Sequence, residues 1–296
     1  MALWKVQVDG RARWAVGRPD EGPVSLLASD MSLDSTLATG GRGLESIEEF
    51  ATDGPVPESA KILAPVQTQE VWAAGVTYER SREARQDESG DRIHYQHVYS
   101  ADRPELFLKA TPTRARGTGH EIAIRGDSEW NVPEPELGLV IDAGGTIVAY
   151  VIGNDVSSRS IEAANPLYLP QAKVYSGSCA VGPCLVPVAE APAADAMEIR
   201  LRIVRDGASV MDESVPTALL RRTPEELAEW LMYAQDFPSG VVLLTGTGLV
   251  PEDTFTLHSG DLVSVAITGL GELTNTVTVV GSTSTVADQQ RIEEAG

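Results

Sequence analysis

Pro133–Ser160 reads PEPELGLVIDAGGTIVAYVIGNDVSSRS, and its pattern decides the fold. Two apolar, β-branched runs flank Ala143-Gly144-Gly145-Thr146, so the stretch predicts a β-hairpin. With Gly144 and Gly145 as a two-residue turn, opposed residues carry numbers that sum to 289. Glu136 then falls opposite Gly153, and Glu134 opposite Asp155. Residues two apart on a strand share a face, and so do directly opposed residues. Three carboxylates therefore converge at the open end of one hairpin. A bulge or a three-residue turn would move Asp155 to the other face.

Three close anions without a partner repel, and their pKa values rise until one or more protonates. A hard divalent cation resolves the conflict. An all-oxygen donor set suits Mg²⁺, Mn²⁺ or Ca²⁺ rather than zinc. The competing reading is a solvated strand end, and spacing alone leaves both open.

Outward from the hairpin, the rest of the chain reads as α+β and strand-rich. Leu3–Val8, Trp14–Val16 and Val24–Leu27 have the pattern of short strands. A helix is predicted over residues 44–51, and the Pro-punctuated run DGPVPESAKILAP offers a domain boundary. That divides the chain into a small N-terminal domain, 1–65, and a larger one, 66–296. In the second, a strand is predicted over 70–74 and a charged helix over 79–88. Thr223-Pro224-Glu225-Glu226 supplies an N-cap, a first-turn proline and a capping-box acid. Leu227, Trp230, Leu231 and Ala234 follow at helical spacing. Strands are predicted at 262–267 and 272–279 around Gly269-Leu270-Gly271, and the polar residues 282–296 read as a frayed tail.

Composition excludes several function classes. Among 296 residues, 43 acidic side chains against 23 basic give a net charge of −20, which disfavours nucleic acid and anionic membrane as partners. No window approaches a membrane span or a signal peptide. Cys179 and Cys184 are too few for a disulfide framework and read as buried packing residues; the four histidines show no zinc-ligand spacing. A cytoplasmic enzyme of small molecules is the expectation.

At this point the residues carry a resemblance. Glu134-x-Glu136 with Asp155 is joined by PELFLK (104–109), VGP (181–183), TGTG (245–248) and GDLVSVAITGLGELTN (260–275). Together they resemble the fumarylacetoacetate hydrolase superfamily over about residues 71–279. The resemblance implies a mixed β-roll catalytic domain with a smaller N-terminal domain. It also implies Mg²⁺ on Glu134, Glu136 and Asp155, a small anionic 2-oxoacid substrate, and a homodimer or homotetramer.

Which reaction follows is a question for the site, since fold membership does not choose it. Carbon–carbon hydrolases of the superfamily carry a His where this chain has Ser81, which cannot accept a proton near neutral pH as imidazole does. The segment NDVSSRSIEAANPLYLPQAKVYSGSCAVGP, residues 154–183, is similar to the 2-keto-3-deoxy-pentonate dehydratases. That likeness implies dehydration to 2,5-dioxopentanoate, with Lys173 as the base. An isolated lysine is otherwise most often a solvated surface charge. Glu105 is the candidate for the departing hydroxyl. Glu162, where related hydrolases often have Gln, is a further candidate for proton transfer. Gly246 and Thr247 are expected to hold the substrate carboxylate, and Arg159 either pairs with substrate or braces the acids. The alternatives are an acylpyruvate or diketone hydrolase or an oxaloacetate decarboxylase on the same chelate, and a binding protein that retains the metal without turnover.

Overall fold

The predicted hairpin supplies two interior strands of the larger sheet. A computed structural model describes residues 1–41, 44, 47, 50, 52–79 and 101–281. Most of the helix expected over 44–51, all but the first residue of that over 79–88, position 81 and the tail 282–296 lie outside the described residues.

In chain order the described strands begin with β1 (Ala2–Val8), β2 (Arg11–Arg18), β3 (Gly22–Leu27), β4 (Thr52–Pro55), β5 (Lys61–Leu63) and β6 (Val71–Gly75). Next come β7 (Glu105–Ala110), β8 (Ile122–Arg125), β9 (Asn131–Val132), β10 (Pro135–Ile141), β11 (Ile147–Asp155) and β12 (Ser157–Ser158). The last six are β13 (Cys179–Pro187), β14 (Glu198–Arg205), β15 (Ala208–Pro216), β16 (Val241–Leu244), β17 (Leu262–Ile267) and β18 (Gly271–Val280). Among the described residues the α-helices are α1 (Leu33–Ala38), α2 (Arg159–Ala164), α3 (Leu169–Lys173) and α4 (Pro224–Met232). This is the strand-rich mixed architecture that the sequence predicts.

One sheet runs β4-β3-β2-β1-β13-β11-β10-β16-β6-β7, with β5 added against β1; a second runs β15-β14-β17-β18-β8. The short ladder β9-β12 lies just past Asp155. Because β10 and β11 are buried on both faces, their alternate residues feed two cores. Leu137, Leu139, Ile141, Tyr150 and Ile152 pack with Leu201, Val263 and Leu273 of the second sheet. Val140, Ala149 and Val151 pack with Leu3, Trp14, Leu37 and Val242. By the same alternation Glu136 and Asp155 share the second of these faces.

The register is the predicted one, reached by a different turn. Pro135 pairs with Asn154, Glu136 with Gly153, and the same register holds as far as Val140 and Ala149. At the tip the loop is three residues long, with Thr146 O accepting from the Asp142 amide. Ile141 therefore pairs with Ile147, and Val148 is left over as a bulge. Loop and bulge each shift the strands by one residue, in opposite senses, so they cancel. Asp142 builds this tip, its Oδ1 accepting from the amides of Gly144 at 2.8 Å and Thr146 at 2.9 Å. Asp142→Ala should cost about 2 kcal/mol in denaturant unfolding, because a buried charged acceptor of two amides is lost. Stability unchanged within experimental error would show that the turn does not depend on it.

Helix α4 starts as predicted, with Thr223 Oγ1 accepting from the Glu226 amide. Its buried stripe is Leu227, Ala228 and Leu231. Trp230 is half-buried under the Arg103 guanidinium, and Ala234 is exposed because the helix ends at Met232. Among the described residues no helix is long and apolar enough to cross a membrane.

Candidate active site and metal centre

Glu134, Glu136 and Asp155 meet as the hairpin register requires. The Asp155 amide donates to Glu134 O at 2.9 Å, which locks the two residues opposite one another. Each of the three offers a carboxylate oxygen within 4.8 Å of the others, and all three side chains are buried. Glu136 Oε2 also accepts the Gly246 amide at 2.6 Å, tying the trio to the loop after β16. Burial drives the Glu136 carboxyl well above the usual carboxylate range, and the charges of Asp155 and Glu134 drive it further. A solvated strand end is thereby excluded. Hard oxygens, buried and convergent, fit a divalent cation of the Mg²⁺ type.

Cations surround the acids. The chain has four lysines, and two of them are buried here. Lys173, the last residue of α3, hydrogen-bonds to Glu134 Oε2, to Asp155 Oδ2 at 3.0 Å and to Ser157 Oγ at 2.5 Å. Its ammonium also lies 5.6 Å from the centre of the Phe107 ring. Lys109 Nζ forms an ion pair with Asp155 Oδ1 at 2.5 Å. Arg159 donates to Glu134 Oε1 at 2.7 Å and faces Glu162 at 3.9 Å.

Residues Ala74, Gly75, Val76 and Phe107, together with Arg159, Lys173, Gly246 and Thr247, line the cavity around the trio. Val76 has φ of +53°, a strained conformation for a β-branched residue, and such strain clusters at functional sites. Gly75 allows the close approach of Glu105 from the paired strand: a Cβ there would stand 2.1 Å from Glu105 Oε2. Gly246 has φ of +93°, and a Cβ on it would stand 1.9 Å from Thr77 Oγ1. The Thr77 hydroxyl in turn donates to Thr245 O at 2.6 Å. Gly246→Ala should therefore move the loop, lowering the melting temperature and raising the substrate KM at least several-fold. A KM equal to the parent's would separate this loop from substrate binding.

Of the residues singled out from sequence, Glu134, Glu136, Asp155, Arg159, Lys173, Gly246 and Thr247 line one cavity. Glu105 sits one residue back, across Gly75. Glu162 is buried near Arg159 and does not line the cavity. Sequence reasoning missed Lys109, Phe107, Ser157 and Val76. For Lys109 there was a signal, a charged residue inside the apolar run LFLKA.

Residues 70–278 match the fumarylacetoacetate (FAA) hydrolase C-terminal family. A probable 2-keto-3-deoxyxylonate dehydratase of Haloferax volcanii is 48% identical over 236 residues, 78% of this chain and 81% of that one. A 2-dehydro-3-deoxy-D-arabinonate dehydratase of Saccharolobus solfataricus is 44% identical over 217 residues, 72% of this chain and 73% of that one. The solved structure of a 2-keto-3-deoxy-D-arabinonate dehydratase complexed with magnesium and 2,5-dioxopentanoate superposes with a TM-score of 0.82. It is 35% identical, with 95% of this chain and 100% of that chain covered.

Proposed function

The chain belongs to the fumarylacetoacetate hydrolase family, and from that premise we propose that it is a Mg²⁺-dependent dehydratase converting a 2-keto-3-deoxy-pentonate into 2,5-dioxopentanoate. The observation that carries this reading is its 48% and 44% identity to two sugar-acid dehydratases. The intact carboxylate trio and Lys173 supply the chemistry such a reaction needs.

Glu134, Glu136 and Asp155 would hold the ion, which when bound polarises the keto group and acidifies the hydrogens on the third carbon. Lys173, once it has given up its own proton and stands as the neutral amine, takes a proton from that carbon; its Nζ already lies among the trio's carboxylates. Glu105, at the rim beyond Gly75, protonates the hydroxyl leaving the fourth carbon. Water departs and a double bond joins the third and fourth carbons. A proton then passes from the fifth carbon to the third, and the resulting enol's hydroxyl proton to the fourth carbon. That leaves an aldehyde at the fifth carbon, so the overall change is the loss of one water. Thr247 and the Gly246 loop receive the substrate carboxylate. Arg159 braces Glu134 and, lining the same cavity, would also face a bound oxo-acid. Glu162 stands behind Arg159 and is the alternative proton carrier, to be tested where Lys173 proves dispensable.

The setting we propose is the cytoplasm, with the chain as a homodimer or homotetramer and residues 1–65 as a smaller domain joined through β1 to β13. A monomer in sedimentation at micromolar concentration would count against that assembly. For the activity, both epimers at the fourth carbon are offered with Mg²⁺, and product is read through a semialdehyde dehydrogenase. Turnover of one epimer that stops with a chelator is expected. No turnover of either, beside brisk acylpyruvate cleavage, would overturn the assignment.

A further inference from the structure

Lys109 is the extra residue of a β-bulge. Trp72 of β6 faces Leu108 and Val71 faces Ala110, so Lys109 faces no residue of the neighbouring strand. Bulges beside active sites re-aim a side chain. This one delivers a fully buried ammonium to the back of the carboxylate cage. Its Nζ donates to Val156 O at 2.9 Å and to Lys173 O at 2.5 Å, and it pairs with Asp155 Oδ1 at 2.5 Å. Two backbone carbonyls accept its hydrogens and the Asp155 carboxylate balances its charge. Lys109 does not line the cavity, so it faces none of the space the substrate would take.

Its three partners are parts that must keep a fixed relation. Asp155 Oδ1 goes to Lys109 while Oδ2 reaches Lys173, so the outer cation sets the rotation of the carboxylate. The carbonyl of Lys173 ends the short helix α3, and Ser178 Oγ donates to that same carbonyl at 2.8 Å. Burying an ammonium is costly and is retained only where it is paired.

We propose that Lys109 is a positioning residue. It holds Asp155 and the backbone of Lys173 in register, so that the ligand carboxylate and the base amine meet in one cage. The proposal rests on the reading of Asp155 as a ligand and Lys173 as the base. Groups that orient metal ligands from outside cost about 10- to 100-fold in affinity or activity when removed.

The test is Lys109→Met, which keeps the length of the side chain and removes its charge and donors. Mn²⁺ affinity is measured by electron paramagnetic resonance on the metal-stripped protein, and kcat and KM at saturating Mg²⁺. The expected result is Mn²⁺ binding weakened about 10-fold or more, and kcat lowered about 10- to 100-fold with KM little changed. A merely structural role would lower the folded fraction while that fraction kept the parent's kcat and Mn²⁺ affinity, and this overturns the proposal. If Lys109→Met does not fold, Ser178→Ala decides, since it removes the second donor to the Lys173 carbonyl and leaves every charge in place. A several-fold loss of kcat with unchanged Mn²⁺ affinity supports anchoring through that carbonyl; parental kcat overturns it. Lys173→Met run alongside separates the two claims. If it is fully active, the reading of the base fails; if it is inactive while Lys109→Met is parental, only the positioning role fails.

Discussion

Lys173→Met should lower kcat by about 100-fold or more while substrate still binds, because general-base catalysis contributes on that scale. The methionine keeps much of the side-chain volume in a buried site, so the cavity should neither collapse nor flood. Metal binding should hold or tighten. The Lys173 ammonium contacts Glu134 Oε2 and Asp155 Oδ2, so replacing it removes a positive charge that competes for two of the trio's carboxylates. Steady-state kinetics beside Mg²⁺ and substrate calorimetry separate these effects. Normal turnover in this variant would place the base elsewhere, with Glu162 next to test.

Glu136→Gln should weaken Mg²⁺ binding by more than the roughly 100-fold that losing an outer partner costs, and turnover should fall with it. Part of the activity should return in excess Mg²⁺, since the defect is one of occupancy. The same variant should raise the melting temperature of the chelator-treated protein near neutral pH. Burial and two neighbouring acids raise the Glu136 pKa above its ordinary value of 4.5. A carboxyl whose folded pKa exceeds its unfolded one takes stability away as pH climbs from the unfolded value through the folded one. The amide removes that loss, so the difference from the parent should vanish below about pH 4. Unaltered Mg²⁺ affinity would remove Glu136 from the ligand set.

How much of this was legible in the sequence depends on what each feature obeys. The trio was legible because a strand has a period of two and the hairpin register follows from it. The manner of reaching that register was not. A three-residue loop set by Asp142 and a bulge at Val148 are separate local events, and only their cancellation leaves Asp155 opposite Glu134. Lys109 was hidden for the same reason, since a bulge breaks the alternation that would have shown where its side chain goes. Glu162 was expected beside the cavity. It follows Arg159 by three residues on α2, and the two side chains face one another there, with Arg159 lining the cavity and Glu162 behind it. Ala234 was assigned to a helix face by extending a period past the point where the helix stops. The choice of dehydration over hydrolysis came from the likeness of residues 154–183 to known dehydratases, because no spacing rule distinguishes one 2-oxoacid reaction from another.

Carbon-13 nuclear magnetic resonance of a uniformly labelled 2-keto-3-deoxy-pentonate, mixed with the enzyme and Mg²⁺, tests the central claim most directly. The predicted result is a single product, 2,5-dioxopentanoate, with its five-carbon chain intact and formed only while the metal is present. Two shorter fragments, released carbon dioxide, or the same conversion after the metal is stripped would contradict it.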